Sequence, residues 1–295
     1  MRDDFAIIIP SYDRYDVLEK HTLKMLNKYN YSGRWYVVVD DSDPQLEKYK
    51  KQIPESHLFV FNKKEHHNGY DEFYNKDIDC KLCALHYIQT DLVYKLNIKY
   101  YMLIDDDIAD LMIRKPYNNK LLSKGSVNGE QFEKTIEYYL EFLKNTHYNN
   151  ISFCSEYEIH SGVNDKIFTQ GYLHKILSIY LIEVNNVYPF YSIFEEEIIS
   201  TYLNGLHNIY AISFPYLFFK TLQSYIENEK RNDGGNSYLY NKFTNTRYLT
   251  IMCLLMCRPS SILRINYNRK GRFGIDYIRD SRNIYPMVID GRWKK

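Results

Sequence analysis

Cysteine is scarce in this chain. Its 295 residues hold five, an odd number, which speaks against a scaffold stapled by paired disulfides. Long apolar runs are missing too. Stretches such as Leu249 to Cys257 reach about half of the roughly 20 residues that a membrane span needs, so no membrane partner is expected. The opening MRDDFAIIIP has too short an apolar segment for a secretory leader and runs straight into a strand pattern. These absences predict a cytoplasmic protein. Repeats, low-complexity tracts and a clear linker are also lacking, which leaves one large domain or a domain with an appendage. With 45% apolar and 25% charged residues, the balance is that of an ordinary globular chain.

Two features stand out against this background. Tyrosine is abundant, at 31 residues. An AT-rich coding sequence accounts for it most simply, and a surface for stacking bases is the sharper alternative. Charge is unevenly spread. Arg258 to Lys295 hold ten Lys/Arg against three Asp/Glu, a net of +7, although the whole chain is only +1. The remainder is therefore at −6, and the C-terminal segment reads as either a polyanion-facing surface or a solvated basic tail.

The first half alternates strand and helix signals. Phe5 to Pro10 is a continuous apolar run, as expected of a strand buried on both faces. Asp16 to Tyr29 puts Leu18, Thr22, Met25, Leu26 and Tyr29 on one helical face. Trp35 to Pro44 is a second buried strand ending in carboxylates, Gln45 to Gln52 a short helix and His57 to Asn62 a third strand. A polar loop containing His66-His67 follows, read as a surface loop rather than a ligand site although such a loop could close over a bound substrate, and then a longer helix marked by Ile78, Leu82, Leu85, Leu92 and Leu96. Tyr100 to Ile104 is the fourth strand. This alternation predicts a parallel sheet with right-handed crossovers. Further on, Asn128 and Gln131 form a capping-box pattern that opens a helix to about His147. Ile151 to Ser155, Tyr180 to Val184 and Asn208 to Phe219 read as strands. Glu195 to Leu203 and Arg247 to Cys257 read as helices, and Asp233 to Asn236 as a turn. The pairs Cys80/Cys83 and Cys253/Cys257 fall on apolar helical patterns, which makes them buried thiols rather than zinc ligands.

In open sheets of this kind, ligands bind at the carboxyl ends of the strands. Three polar clusters end three of these strands: Pro10-Ser11-Tyr12-Asp13-Arg14, Asp40-Asp41-Ser42-Asp43 and Asp105-Asp106-Asp107. All three should meet at one edge. Adjacent carboxylates repel unless water or a cation takes up their charge. The acidic triplet is therefore either a solvated strand end or a metal site. Side chains two apart on an extended segment share a face, so Asp105 and Asp107 would grip one cation while Asp106 faces elsewhere. Their oxygens suit Mg²⁺ or Mn²⁺.

IIIPSYDR, VVVDDSD and MLIDDDI, in that order, resemble the successive signatures of a GT-A glycosyltransferase. IPSYDR, DDDI and the DGGNSYLY segment further resemble the TET-associated glycosyltransferases of bacteriophages. The resemblance implies an α/β GT-A fold, a Rossmann-like, mostly parallel sheet flanked by helices. The core would span residues 1–220, with 221–295 a basic extension packed on it. It also implies transfer of a sugar from a UDP-sugar, with Mn²⁺ or Mg²⁺, to hydroxymethylated pyrimidines in DNA. Pro10, Ser11, Arg14, Asp40, Asp41 and Asp106 would contact the donor, and Asp105 and Asp107 the metal. Glu195, Glu196 or Glu197 would be the general base, with Glu196 preferred. Arg264, Arg269, Lys270, Arg272, Arg279 and Arg282 would grip DNA phosphates. The family pattern expects an arginine ahead of the fourth strand, where this chain offers Lys81. A glycan, lipid-linked or protein acceptor is the rival expectation, and a non-catalytic nucleic-acid-binding module is the rival from another class.

Overall fold

The structure is a computed structural model, and it describes residues 2–66, 81–117, 120–155, 178–186, 197, 200, 204, 210–221, 262–267 and 273–277. Among the described residues, eleven strands run in chain order: β1 (Phe5–Pro10), β2 (Trp35–Asp40), β3 (Leu58–Phe61), β4 (Tyr100–Ile104), β5 (Ile108–Tyr117), β6 (Lys120–Ser126), β7 (Tyr148–Ser155), β8 (Ile179–Glu183), β9 (Tyr210–Thr221), β10 (Ile262–Tyr267) and β11 (Phe273–Tyr277). The first nine form one sheet in the order β3-β2-β1-β4-β8-β7-β9-β5-β6.

The four-strand end, β3-β2-β1-β4, is parallel throughout. β8 then enters antiparallel to both β4 and β7. β7 and β9 pair in parallel, and β5 pairs antiparallel with β9 and β6. The expected parallel α/β sheet is therefore present at the β3–β4 end and continues as a mixed sheet. β10 and β11 make a separate antiparallel pair.

Alternation along each central strand builds two cores. Phe5, Ile7, Ile9, Val37, Val39, Tyr100, Met102 and Ile104 face one layer. That layer includes a helical segment made of α1 (Tyr15–Leu18), a π-helical turn (Glu19–Leu23) and α2 (Lys24–Lys28). Ala6, Ile8, Val38, Tyr101 and Leu103 face the other. Every residue of β1 and β4 is buried, which is why both read as unbroken apolar runs. At roughly 1.5–3 kcal/mol per large apolar side chain buried, these strands form the rigid frame of the site. Tyrosine packs here too: Tyr49, Tyr100 and Tyr101 are among the largest fully buried side chains.

The remaining helices are α3 (Leu46–Gln52), α4 (Lys63–His66), α5 (Leu82–Tyr87), α6 (Val93–Lys95) and α7 (Gly129–Asn145). A second π-helical turn (Ile88–Leu92) joins α5 to α6. The capping box at α7 forms as read, with Gln131 N donating to Asn128 Oδ1 at 2.8 Å and Asn128 N to Gln131 Oε1 at 3.1 Å. Gly129 is required at the first position of α7, since a Cβ there would lie 2.0 Å from the Tyr29 carbonyl oxygen. Two helices end on left-handed asparagines. Asn30 and Asn97 have φ of 49° and 51°, and the following amides reach back to Leu26 O and Val93 O, closing Schellman turns.

The β5–β6 hairpin has no counterpart in the sequence reading. Bulges interrupt β5 on both sides, at Ile108/Asp110 and at Ile113/Arg114, so its alternation is broken. Cys83 and Cys154 are buried. Cys80, Cys253, Cys257, His67, Asp233 to Asn236 and Arg247 to Cys257 lie outside the described residues. Among the described residues no helix is long and apolar enough to cross a membrane.

Candidate active site

The carboxyl ends of β1, β2 and β4 meet at one edge, as parallel pairing in near-flush register requires. The chain leaving β1 is pinned first. Ser11 N donates to Val38 O at 3.0 Å. Its hydroxyl lies 2.8 Å from the Tyr49 hydroxyl and donates to Asp106 Oδ2 at 2.8 Å. Tyr49 stands on α3 and also accepts from Arg14 N at 3.2 Å. One buried hydroxyl thus ties the β1 loop to the helix after β2. Burial raises the Tyr49 phenol well above its usual range, so it stays protonated and able to donate.

Asp13 takes a left-handed conformation, φ 52°, which aspartate tolerates better than most residues. Two partners hold it there. Asp13 N donates to Asp43 Oδ2 at 2.9 Å, and Gln45 Nε2 donates to both Asp13 O and Asp13 Oδ1. Asp43 also accepts from Gln45 N at 2.7 Å. Burial pushes the Asp43 carboxyl up to about 6, against the relief from these two amides.

This shift predicts a pH effect. A folded-state value raised above the unfolded 3.8 gives a contribution to stability that is full below about pH 4 and lost as pH rises through about 6. At roughly 1.4 kcal/mol per unit, the loss is on the order of 2–3 kcal/mol. Thermal unfolding of wild type and Asp43→Asn between pH 4 and 7 tests it: the wild-type profile should fall with pH and the variant's should be flatter.

Asp40 and Asp41 sit at the end of β2. Asp40 is buried, and its Oδ1 accepts from Ser42 N and Oγ. Asp41 Oδ1 accepts from Lys63 N at 3.0 Å. Pro10 is the buried last residue of β1.

The acidic triplet does not continue β4 in extended form. Asp106 and Asp107 lie in a turn that leads into β5. Thr22, fully buried on the helix after β1, spans this turn: its hydroxyl donates to Asp105 O at 2.7 Å and accepts from Ile108 N at 3.0 Å. Asp106 points inward and is 4% exposed, held by Ser11 and by Arg14 Nη1 at 2.7 Å. Burial pushes its carboxyl up, and Arg14 pulls it back in part. Arg14 Nη2 reaches Asp107 Oδ2 at 3.2 Å. Burial by itself would lower the Arg14 guanidinium, but Asp106 and Asp107 outweigh it and hold it above its ordinary value. Lys81 Nζ donates to Asp105 Oδ1 at 3.0 Å.

Asp107 Oδ1 is buried and has no hydrogen-bond partner. An orphaned carboxylate oxygen is costly in a folded protein, so its presence here fits a cation. No group of three or more His, Cys, Asp or Glu able to hold a metal comes together among the described residues. Asp105 and Asp107 would therefore supply two ligands, and phosphate oxygens and water the rest, as Mg²⁺ and Mn²⁺ allow.

The structure brings Ser11, Arg14, Asp105, Asp106 and Asp107 together, with Lys81 beside them. The chain matches the TET-associated glycosyltransferase family over residues 5–208. It belongs to that family. The matched range takes in all three strand-end clusters and the Glu195–Glu197 segment.

No curated protein sequence matches the chain. Solved structures with a similar arrangement include a mannosyltransferase from Pyrobaculum calidifontis in complex with GDP-Man and Mn²⁺. It shares 10% identity at a TM-score of 0.43, over 72% of this chain and 55% of that one, so the chain spans about half its length. Glucosyl-3-phosphoglycerate synthase from Mycobacterium tuberculosis, in complex with Mg²⁺ and UDP, shares 10% identity at a TM-score of 0.44, over 92% and 86%. TarS 1–349 from S. aureus shares 12% at 0.40, over 94% and 97%.

Sequence reasoning missed Tyr49 and Thr22 as site residues and read Asp43 only as part of the cluster ending the second strand. Tyr49 and Thr22 act from helices, where a hydroxyl aimed at a neighbouring strand end leaves no periodic signal. Of the three candidate bases, Glu195 and Glu196 lie outside the described residues, and Glu197 is helical and partly buried. Arg264 is on β10. Arg269, Lys270, Arg272, Arg279 and Arg282 lie outside the described residues, the first three falling in sequence between β10 and β11.

Proposed function

We propose that this glycosyltransferase moves a sugar from a UDP-sugar to the hydroxyl of a hydroxymethylated pyrimidine in DNA, using Mn²⁺ or Mg²⁺ at Asp105 and Asp107. The observation that carries the donor half is the buried, unpartnered Asp107 Oδ1, at the edge where β1, β2 and β4 end. The acceptor half rests on the family and on the basic C-terminal segment.

The metal, when bound, neutralises the diphosphate and stabilises the charge that develops as UDP leaves. The other roles belong to side chains. Arg14 and Ser11 fix the acidic turn through Asp106. Pro10, Ser11, Asp40 and Asp41 line the nucleotide pocket. One glutamate of Glu195 to Glu197, with Glu196 preferred, takes the proton from the acceptor hydroxyl, which is a poor nucleophile at neutral pH. The base must leave the stack to reach the donor. Arg264, Arg269, Lys270, Arg272, Arg279 and Arg282, in the segment 221–295, grip the backbone, so binding weakens steeply with salt.

The test is a transfer reaction. The protein, Mn²⁺ and a pool of UDP-sugars are incubated with DNA carrying hydroxymethyluracil or hydroxymethylcytosine, and the digested nucleosides are weighed by mass spectrometry. A hexose- or pentose-sized gain on the modified base is expected. Neutralising several of the C-terminal arginines should abolish that gain while donor hydrolysis persists. If UDP is released in a metal-dependent way but no gain appears on DNA, the acceptor is not a modified base. Equal loss of hydrolysis and transfer in the arginine variants would contradict the division of labour.

A further inference from the structure

The helical segment that follows β1 lays two buried hydroxyls against the chain that leaves β4. The first is Thr22, whose hydroxyl donates to Asp105 O at 2.7 Å and accepts from Ile108 N at 3.0 Å. These are the first carbonyl and the fourth amide of the turn that carries Asp106 and Asp107, the two groups that a β-turn brings together. The second is Tyr29, at the far end of the same segment. Its hydroxyl accepts from Leu111 N at 2.8 Å and donates to Asp110 Oδ1. Thr22 thus holds both ends of the acidic turn, and Tyr29 holds the strand beyond it. Thr22 lies in the π-helical turn Glu19–Leu23. A threonine hydroxyl inside a regular helix commonly bonds the carbonyl four residues back, but here both of these bonds leave the helix. Local widening of this kind is found mostly at functional sites.

We infer that Thr22 is a positioning residue for the metal pair: it sets the spacing of Asp105 and Asp107 by bracing the backbone of the turn they share. The inference rests on the reading of Asp105 and Asp107 as metal ligands. Peptide planarity supports it. Asp105 O belongs to the peptide that joins Asp105 to Asp106, and Ile108 N to the peptide that joins Asp107 to Ile108. One hydroxyl therefore orients a peptide plane on each of the two ligand residues. The side chains nearby serve another member of the turn: Ser11 and Arg14 Nη1 fix the carboxylate of Asp106. Asp105 N donates to Ser178 O at 3.0 Å, so the backbone of Asp105 is tied to the residue before β8 on one side and to Thr22 on the other. Mg²⁺ demands near-ideal ligand geometry, and partners that only orient metal ligands weigh on affinity almost as much as the ligands do. Without the hydroxyl, the turn keeps its sequence and its charges but loses its fixed place against the helix.

The two hydroxyls supply the test and its control. The full chain is titrated with Mn²⁺ alone, with free Mn²⁺ followed by electron paramagnetic resonance, and the unfolding temperature of each variant is measured without metal. Thr22→Val keeps the branched shape and deletes the hydroxyl. It should bind Mn²⁺ about tenfold more weakly than wild type. Thr22→Ser restores the hydroxyl and should recover most of that loss. Tyr29→Phe reports on loosening alone. It too takes a buried hydroxyl from a backbone amide of β5, so its unfolding temperature should drop comparably, yet its Mn²⁺ affinity should stay within about twofold of wild type. Thr22→Ala replaces Thr22→Val if the latter does not fold. Wild-type affinity in the variants that lack the Thr22 hydroxyl overturns the inference and leaves the metal pair intact. So does a loss in Tyr29→Phe or Thr22→Ser as large as theirs. Wild-type protein that takes up no Mn²⁺ overturns the metal reading, and this inference with it.

Discussion

Replacing Arg14 with Met is expected to destabilise the fold by roughly 3–5 kcal/mol, the usual cost of removing one partner from a buried ion pair. The cost comes from what is left behind. Asp106 is 4% exposed and has two partners, Ser11 Oγ and Arg14 Nη1. Without the guanidinium, this buried carboxylate keeps one hydrogen bond, from Ser11. Asp107 loses its contact with Arg14 in the same step. The acidic turn should loosen, although its backbone anchors to Thr22 remain. A second substitution isolates the cause. Asp106→Asn removes the stranded charge and keeps an acceptor and a donor for Ser11. The double variant should therefore recover a large part of the loss, and the coupling between the two sites should exceed about 1 kcal/mol. Urea unfolding of wild type, both single variants and the double variant measures this. Simple additivity would show that Arg14 matters for packing alone.

The second large effect concerns Asp107. Asp107→Asn keeps the shape of the side chain but removes its charge, and one of its oxygens is the orphan. Donor turnover with Mn²⁺ should fall by roughly 10²–10³-fold, the scale seen when one stabilising contact to developing charge is removed. Stability should fall far less than in Arg14→Met, because Oδ1 has no partner to lose and Arg14 keeps Asp106 when its contact with Oδ2 weakens. This separation tells a working site from a structural one. If Asp107→Asn lowers the unfolding temperature as much as Arg14→Met and leaves turnover unchanged, Asp107 belongs to the scaffold.

The parts of the fold that the sequence disclosed are those whose residues are constrained on both sides. β1, β2 and β4 read as strands because their parallel pairing buries almost every position, so apolar runs end abruptly in polar residues. That abruptness also revealed the site edge: Ser11, Arg14 and Asp105 to Asp107 come together where those runs stop. The start of α7 was legible because Asn128 and Gln131 cap each other through side chains that few other residues can replace. The hairpin of β5 and β6 was not. Asp110 interrupts its apolar pattern, and the structure explains the exception: its carboxylate is taken up by Lys28, Tyr29 and Ser126 from three directions. The antiparallel entry of β8 beside β4 is likewise silent in the sequence, since an apolar strand reads the same in either direction. Within the site, the joint grip of Asp105 and Asp107 was argued from an extended segment. In the structure Asp106 and Asp107 lie in a turn, with Lys81 on Asp105 and Arg14 on Asp107. Asp106, placed at the donor by family likeness, is buried against Ser11 and Arg14, where it sets the turn that carries its neighbours.

One measurement tests the central claim most directly. Wild-type protein is incubated with each of a panel of UDP-sugars and hydroxymethylated DNA, with Mn²⁺ or with a chelator in excess, and UDP release is followed. The account predicts release from at least one donor with Mn²⁺ and none with the chelator, and loss of the Mn²⁺-dependent signal in Asp107→Asn. Release at the same rate in the chelator, or undiminished in Asp107→Asn, would contradict a metal–diphosphate site at the end of β4.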